Sequence, residues 1–163
     1  MTRRRDLLSG VLFMSEIVTN SKARRDYHVL ETYEAGLVLR GSEVKSVRAG
    51  KVQIADAFAK VDRGQVWLHN AHIDEYVFAT HEIHAPKAPR KLLLNKAEIR
   101  KLAEVANVKG NSLIPLSLYW KGDRVKLSLG VCKGKAEYDK RQDIRKREDE
   151  REMRRASATL RRK

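Results

Sequence analysis

The sequence predicts a mainly β protein: a closed antiparallel OB-type barrel with two or three short helices and a basic C-terminal tail, helical when bound. Three observations predict it. Apolar residues recur at alternate positions through much of residues 27–131, the period of a half-buried strand. Turn signals such as Asp62-Arg63-Gly64 and Lys121-Gly122-Asp123-Arg124 separate these runs at short intervals. From Lys133 onward the larger apolar residues thin out to Tyr138, Ile144, Met153 and Leu160, while charge persists. Such a segment cannot offset the ordering cost of roughly 1–2 kcal/mol per residue by burying its own surface. The expected division is therefore a disordered leader over 1–17, a barrel over 18–132, and a tail over 133–163 that is disordered when free and helix-competent.

The leader "MTRRRDLLSGVLFMSE" imitates a secretion signal, but its apolar run is short, is interrupted by Ser9 and Gly10, and has no small-residue cleavage site. Translation can start at Met1 or Met14. Next, "YHVLETYEAGLVL" puts Tyr27 and Val29 on one strand phase and Ala35, Leu37 and Leu39 further on. Ser42 is placed to cap a short helix over "EVKSVRA", which Gly50 ends. "KVQIADAFAKV" and "QVWLHNAHIDEYVF" read as strands, and the Pro-containing "HEIHAPKAPRKLLLN" as a loop with a basic, leucine-rich exit. Asn95 is placed to cap "KAEIRKLAEVAN", with Glu98 in the capping-box position and a stripe of Ile99, Leu102, Ala103 and Ala106 to dock on a sheet. The clearest hairpin comes last. Ile114, Leu116, Leu118 and Trp120 fall on one face of "LIPLSLYW", and Val125, Leu127, Leu129 and Val131 on one face of its partner. In the tail, Asp143→Arg147 and Glu150→Arg154 are i,i+4 pairs worth about 0.2–0.5 kcal/mol each, so an isolated helix is marginal.

Net charge is +14 over 163 residues. Residues 133–163 carry 13 basic and 7 acidic side chains (+6); the remainder carry 22 and 14 (+8), so the body is basic in its own right. That balance points to a polyanion, RNA or DNA. One cysteine, Cys132, excludes an intrachain disulfide and suits a reducing cytoplasm; its expected place is a strand end. His81 and His84 in "HEIH" are three apart among prolines, not four apart on a helix, so no metal site is expected. With no phosphate loop, nucleophile elbow or acid pair at catalytic spacing, neither an enzyme nor a cofactor is expected. Two basic clusters remain as candidate RNA contacts: Lys22, Arg24 and Arg25 beside Asn20 and Tyr27, and Arg90 and Lys91 before Leu93. Glu34 is different in kind. An acid there either pairs with an arginine or accepts from a base edge or ribose hydroxyl.

These stretches resemble one family. "NSKARRDY", "YEAGLVLRGSEVKSVRAGK", "RKLLLN", "PLSLYWKGDRVKLSLGVCKGK" and "YDKR" occur in the order and spacing of small protein B, the SsrA-binding (tmRNA-binding) proteins of bacterial trans-translation. The resemblance covers about residues 18–148. It implies binding to the tRNA-like domain of tmRNA and delivery of alanyl-tmRNA to stalled ribosomes, with Asn20, Glu34 and Leu93 at tmRNA-contact positions. Lys22, Arg24, Arg90 and Lys91 would supply phosphate contacts. It further implies that the tail enters the empty mRNA channel and small-subunit decoding centre as a helix, with Tyr138, Asp139, Lys140 and Arg141 matching the family motif. The family often carries histidine where Tyr138 stands and an aromatic near Asp149, and "KREDEREM" has none. The expected partners are tmRNA and the ribosome; the expected setting is a cytoplasmic monomer away from membranes. A general single-stranded nucleic-acid chaperone is the alternative; a hydrolase built on His81 and His84 is a third, and it predicts bound zinc.

Overall fold

The computed structural model of the chain describes residues 14–81 and 83–160. The fold is mainly β, with nine strands and four helices among those residues. In chain order these are β1 (Met14–Thr19), α1 (Ser21–Asp26), β2 (Tyr27–Leu37), α2 (Gly41–Arg48), β3 (Val52–Gln53), β4 (Phe58–Asp62), β5 (Gln65–His69), β6 (His72–Ile73), β7 (Arg90–Leu93), α3 (Lys96–Ala106), β8 (Asn111–Lys121), β9 (Arg124–Gly134) and α4 (Glu137–Leu160). Seven strands form one antiparallel sheet in the order β1-β8-β4-β5-β7-β2-β9, and β9 pairs in turn with β8. β3 and β6 form a separate two-stranded ribbon.

Inward residues of these strands share one core. Ala35, Ala59, Val66, Leu68, Leu92, Leu113, Leu118, Leu127, Leu129 and Val131 meet there, joined by Val47 of α2 and Leu102 of α3. Each buried leucine stabilises the body by about 1.5–3 kcal/mol relative to leaving it in water. The β9 alternation falls inward as its sequence requires, and α3 docks through Leu102 with Ile99, Val105 and Ala106 against the core. At the start of α3, the Asn95 N–H donates to Glu98 Oε2 at 3.0 Å, the half of a capping box that fixes the entry turn.

Four expectations need correction. The leader does not extend to residue 17, because Met14–Thr19 is β1, paired with the end of β8; residues 1–13 lie outside the described residues. Ser42 does not cap α2: the N-cap is Arg40, whose N–H donates to Glu43 Oε2 at 2.8 Å, and Ser42 turns to His84 instead. Cys132 lies within β9, fully buried, where desolvation pushes its thiol up to about 11. The fourth concerns the β8 face. Its register shifts between Pro115 and Ser117, so Leu118 and Trp120 face the main core while Ile114 and Leu116 face away from it. A bulge adds one residue and flips every later side chain to the other face.

β2 shifts register between Val29 and Glu31 in the same way. Together the two bulges create a second, smaller cluster on the outside of the sheet. Ala23 of α1 packs there with Ile114, Leu116 and Cys132, and half-buried Tyr27 leans on them. Gly130 makes room for this cluster: a Cβ on it would stand 2.9 Å from Leu116 Cδ1. The outer cluster is what seats α1 on the body.

Candidate RNA interface

Asn20 holds α1 in place. Its Oδ1 accepts from the Ala23 N–H at 3.0 Å, and its Nδ2 donates to Pro115 O at 2.9 Å and Ile54 O at 3.1 Å. Its own N–H donates to Leu116 O at 2.7 Å. With 1% exposure and every polar group engaged, Asn20 has no group left for a ligand. Its part is to aim α1, which projects Lys22 and Arg24 into solvent. Lys22 meets Asp56 at 2.7 Å in an exposed pair.

Arg90 is likewise interior, at 3% exposure. Its Nε donates to Glu43 Oε1 at 2.7 Å, one Nη to Ala71 O at 2.7 Å and Ala88 O at 3.0 Å, and the other to Pro86 O at 3.0 Å. The guanidinium therefore ties β7, α2 and the loop before β7 together, and is spent as a phosphate ligand. Lys91, opposite Trp67, points the other way and is half-buried. His84 is a second interior tie. Its Nε2 faces the carbonyls of Asp74 (3.1 Å) and Ile73 (3.2 Å), which fixes the proton there; its Nδ1 accepts from Ser42 Oγ at 3.0 Å. That ring is therefore engaged on both sides, and among the described residues no group of three or more His, Cys, Asp or Glu is placed to hold a metal.

Glu34 and Leu93 come together on the outer face. β2 register places Gly36 opposite Leu93, and Glu34 lies two residues before Gly36 on the same side. Leu93 leans over Gly36 so closely that a Cβ there would meet Leu93 Cβ at 3.2 Å, and Leu93 remains 53% exposed. Glu34 accepts from Lys121 Nζ at 2.8 Å and from the Tyr119 hydroxyl at 2.6 Å. These donors, Lys121 first, hold its carboxyl below the usual range, while burial beside Glu34 pushes the Tyr119 phenol up. Glu34 is thus ionised at neutral pH, with a 37% exposed side chain. A carboxylate offers about four lone-pair directions, of which these donors leave part open to solvent. Lys121 and Tyr119 are not singled out by the sequence; the β8–β9 hairpin places Tyr119 opposite Lys126, but Lys126 comes opposite Gly36 only through the β2–β9 pairing, which no local stretch shows. Beside Leu93, a pocket of about 240 Å³ is lined by Val44, Trp120, Arg124 and Lys126.

The tail is the helix α4, and its root is fastened to α1. The Lys135 N–H donates to Asp26 O at 2.9 Å, and Lys135 Nζ bonds Asp143. Asp139 stands 3.7 Å from His28, and Lys140 4.0 Å from Asp26. Arg141 follows on the same helix; the Tyr138 side chain lies outside the described residues. Beyond Asp143 the described side chains are all exposed; the half-covered ones, Asp139, Lys140 and Asp143, lie at the root. Among the described residues, no helix is long and apolar enough to cross a membrane.

Comparison with known proteins agrees with this layout. The family model "SmpB protein" matches residues 17–159. An SsrA-binding protein of Thermobifida fusca is 54% identical over 140 residues, 86% of this chain and 88% of that one. Another, from Desulforudis audaxviator, is 52% identical over 86% of this chain and 92% of the relative. A solved chain described as "tmRNA-SmpB: a journey to the center of the bacterial ribosome" superposes with a TM-score of 0.63 at 40% identity, covering 78% of this chain and 94% of that one.

Proposed function

This chain belongs to the SmpB protein family, and from that premise we propose that it binds tmRNA and acts with it on the ribosome in trans-translation. The ring of strand pairings is read as an OB-type barrel, and its outer face as the tmRNA surface. Glu34 is the observation that carries this reading. A body of net charge +8 attracts any RNA, but an ionised acceptor fixed by Lys121 and Tyr119 beside an exposed leucine can discriminate. It accepts from an exocyclic amine or a ribose hydroxyl, and Leu93 offers apolar contact to the same nucleotide. Lys22 and Arg24 on α1, with Lys91 on β7, contact phosphates. Asn20 and Arg90 act behind that surface as positioning residues.

The tail has a separate role. It senses an empty decoding centre and mRNA channel, with Tyr138, Asp139, Lys140 and Arg141 near its root and a rod of about 28 Å beyond. Free in water, α4 exchanges between helix and coil, because its own pairs contribute only tenths of a kcal/mol each. RNA walls order it. Proteins of this kind supply binding and placement; the chain is read as a cytoplasmic, non-enzymatic factor.

Replacing Glu34 by Ala tests the reading. Binding to tmRNA is expected to weaken about 10-fold or more, within the range of a lost polar base contact. Binding to an unrelated structured RNA should stay equal or tighten, since a negative charge has gone. Equal or tighter binding to tmRNA as well would leave only charge attraction.

A further inference from the structure

Exposed apolar surface concentrates in the loop between β6 and β7. Val77 and Phe78 are each 79% exposed, more than any other large apolar residue described. Phe78 is nevertheless oriented: its ring meets Tyr76 edge to face, with centroids 5.7 Å apart and planes at 64°. Lys45 Nζ stands 5.1 Å from the Tyr76 centroid. Three residues along the same exposed face of α2, the Arg48 guanidinium stands 5.7 Å from the Trp120 ring. Trp120 lines the pocket that Leu93 and Val44 also line. A row of side chains thus leads from the pocket shared by Leu93 and Trp120, by way of Arg48 and Lys45 on α2, to Tyr76 and Phe78. The nearby Asp74 carboxylate is occupied by His72 at 2.9 Å.

An apolar loop alone would suit a protein partner. Here two of the three rings carry a cation, Arg48 on Trp120 and Lys45 on Tyr76, and the row continues from the surface already read as an RNA contact. That alternation matches single-stranded RNA, whose bases stack on rings while its phosphates pair with cations. We infer that Tyr76, Phe78, Lys45 and Arg48 form a second tmRNA subsite, in which an unpaired base stacks on Phe78 and the two cations hold the flanking phosphates. This subsite rests on the tmRNA reading above and extends its footprint along α2.

Binding of the full-length chain to tmRNA across a salt series tests it. Phe78→Ala is expected to weaken binding about 5-fold or more with an unchanged salt slope, the loss of one stacked base. Phe78→Trp should restore wild-type affinity, whereas Phe78→Leu should not. Joint replacement of Lys45 and Arg48 by Ala should flatten the slope by roughly 1.4–1.8, two phosphate contacts. Wild-type affinity in Phe78→Ala, or full rescue by Phe78→Leu, overturns the stacking subsite. Weakened ribosome association with intact tmRNA binding overturns it too, assigning the loop elsewhere. Failure of the wild-type chain to prefer tmRNA is a different result, which removes the function itself. Because Phe78 stands in solvent, its variants should fold, as far-UV circular dichroism will check.

Discussion

In the body, cations and polar groups are placed by burial. Arg90 sits at 3% exposure with Glu43 and the carbonyls of Ala71, Ala85, Pro86 and Ala88 around it, and Asn20 at 1% with four hydrogen bonds. In the tail, comparable charge is strung along a helix whose side chains stand mainly in water, fastened at its root to α1 and β2. Burial fixes geometry in the body, whereas exposure leaves order in the tail to be supplied by a partner. Under the proposed function, the first lets the body read one RNA and the second lets the tail report an empty channel. Charged side chains serve both ends because core contact, not charge, decides which of them are rigid.

The sharpest way to break this contrast is at the buried pair. Glu43→Ala leaves Arg90 charged in the interior and is expected to cost about 3–5 kcal/mol; thermal unfolding should show a drop of about 6–20 °C. A drop of a degree or two would mean that Arg90 is free to turn outward after all. Gly130→Ala comes next, at about 1–3 kcal/mol, because its new Cβ meets Leu116. Adding Leu116→Ala should reduce that penalty in a double-mutant cycle, since the clash then has no partner.

Smaller effects sharpen the tail side. Ala156→Gly should cost about 1 kcal/mol of local helix, seen as reduced ellipticity at 222 nm, with the melting temperature of the body unchanged. A shared fall in both would mean that α4 supports the body. The root adds a pH dependence. The Lys135 hydrogen bond holds the Asp143 carboxyl below its ordinary value of 3.8. A depressed folded value means that the contribution is present above 3.8 and is lost as pH falls through the lower one. NMR order parameters at residues 137–145 should therefore hold from pH 7 to 5 and drop below pH 4. Asp143→Asn should already be mobile at pH 7.

Strand identity was legible wherever one face is buried without interruption, as in Val125, Leu127, Leu129 and Val131. It failed where a bulge changes phase: nothing in "LIPLSLYW" says that Leu116 turns away from Leu118, because bulges arise from pairing with a distant strand. The helix cap at Asn95 was local and therefore readable, while Ser42 was drawn off by His84, 42 residues away. The candidate surface divided along the same line. Glu34 and Leu93, named from the sequence, are brought to one face by the β2–β7 register. Arg90 and Asn20 looked like surface groups because sequence shows a polar side chain but not the carbonyls that enclose it. The row from Trp120 to Phe78 was invisible for the opposite reason, being assembled from three separated segments.

The division of labour between body and tail is tested most directly by removing residues 134–163 and measuring two quantities on the same preparation: affinity for tmRNA, and tagging of a stalled product in reconstituted translation. Affinity for tmRNA should stay within about 3-fold of the full chain at high salt, where charge attraction fades, while tagging is abolished. Tagging that persists, or tmRNA affinity that collapses together with it, would contradict the account.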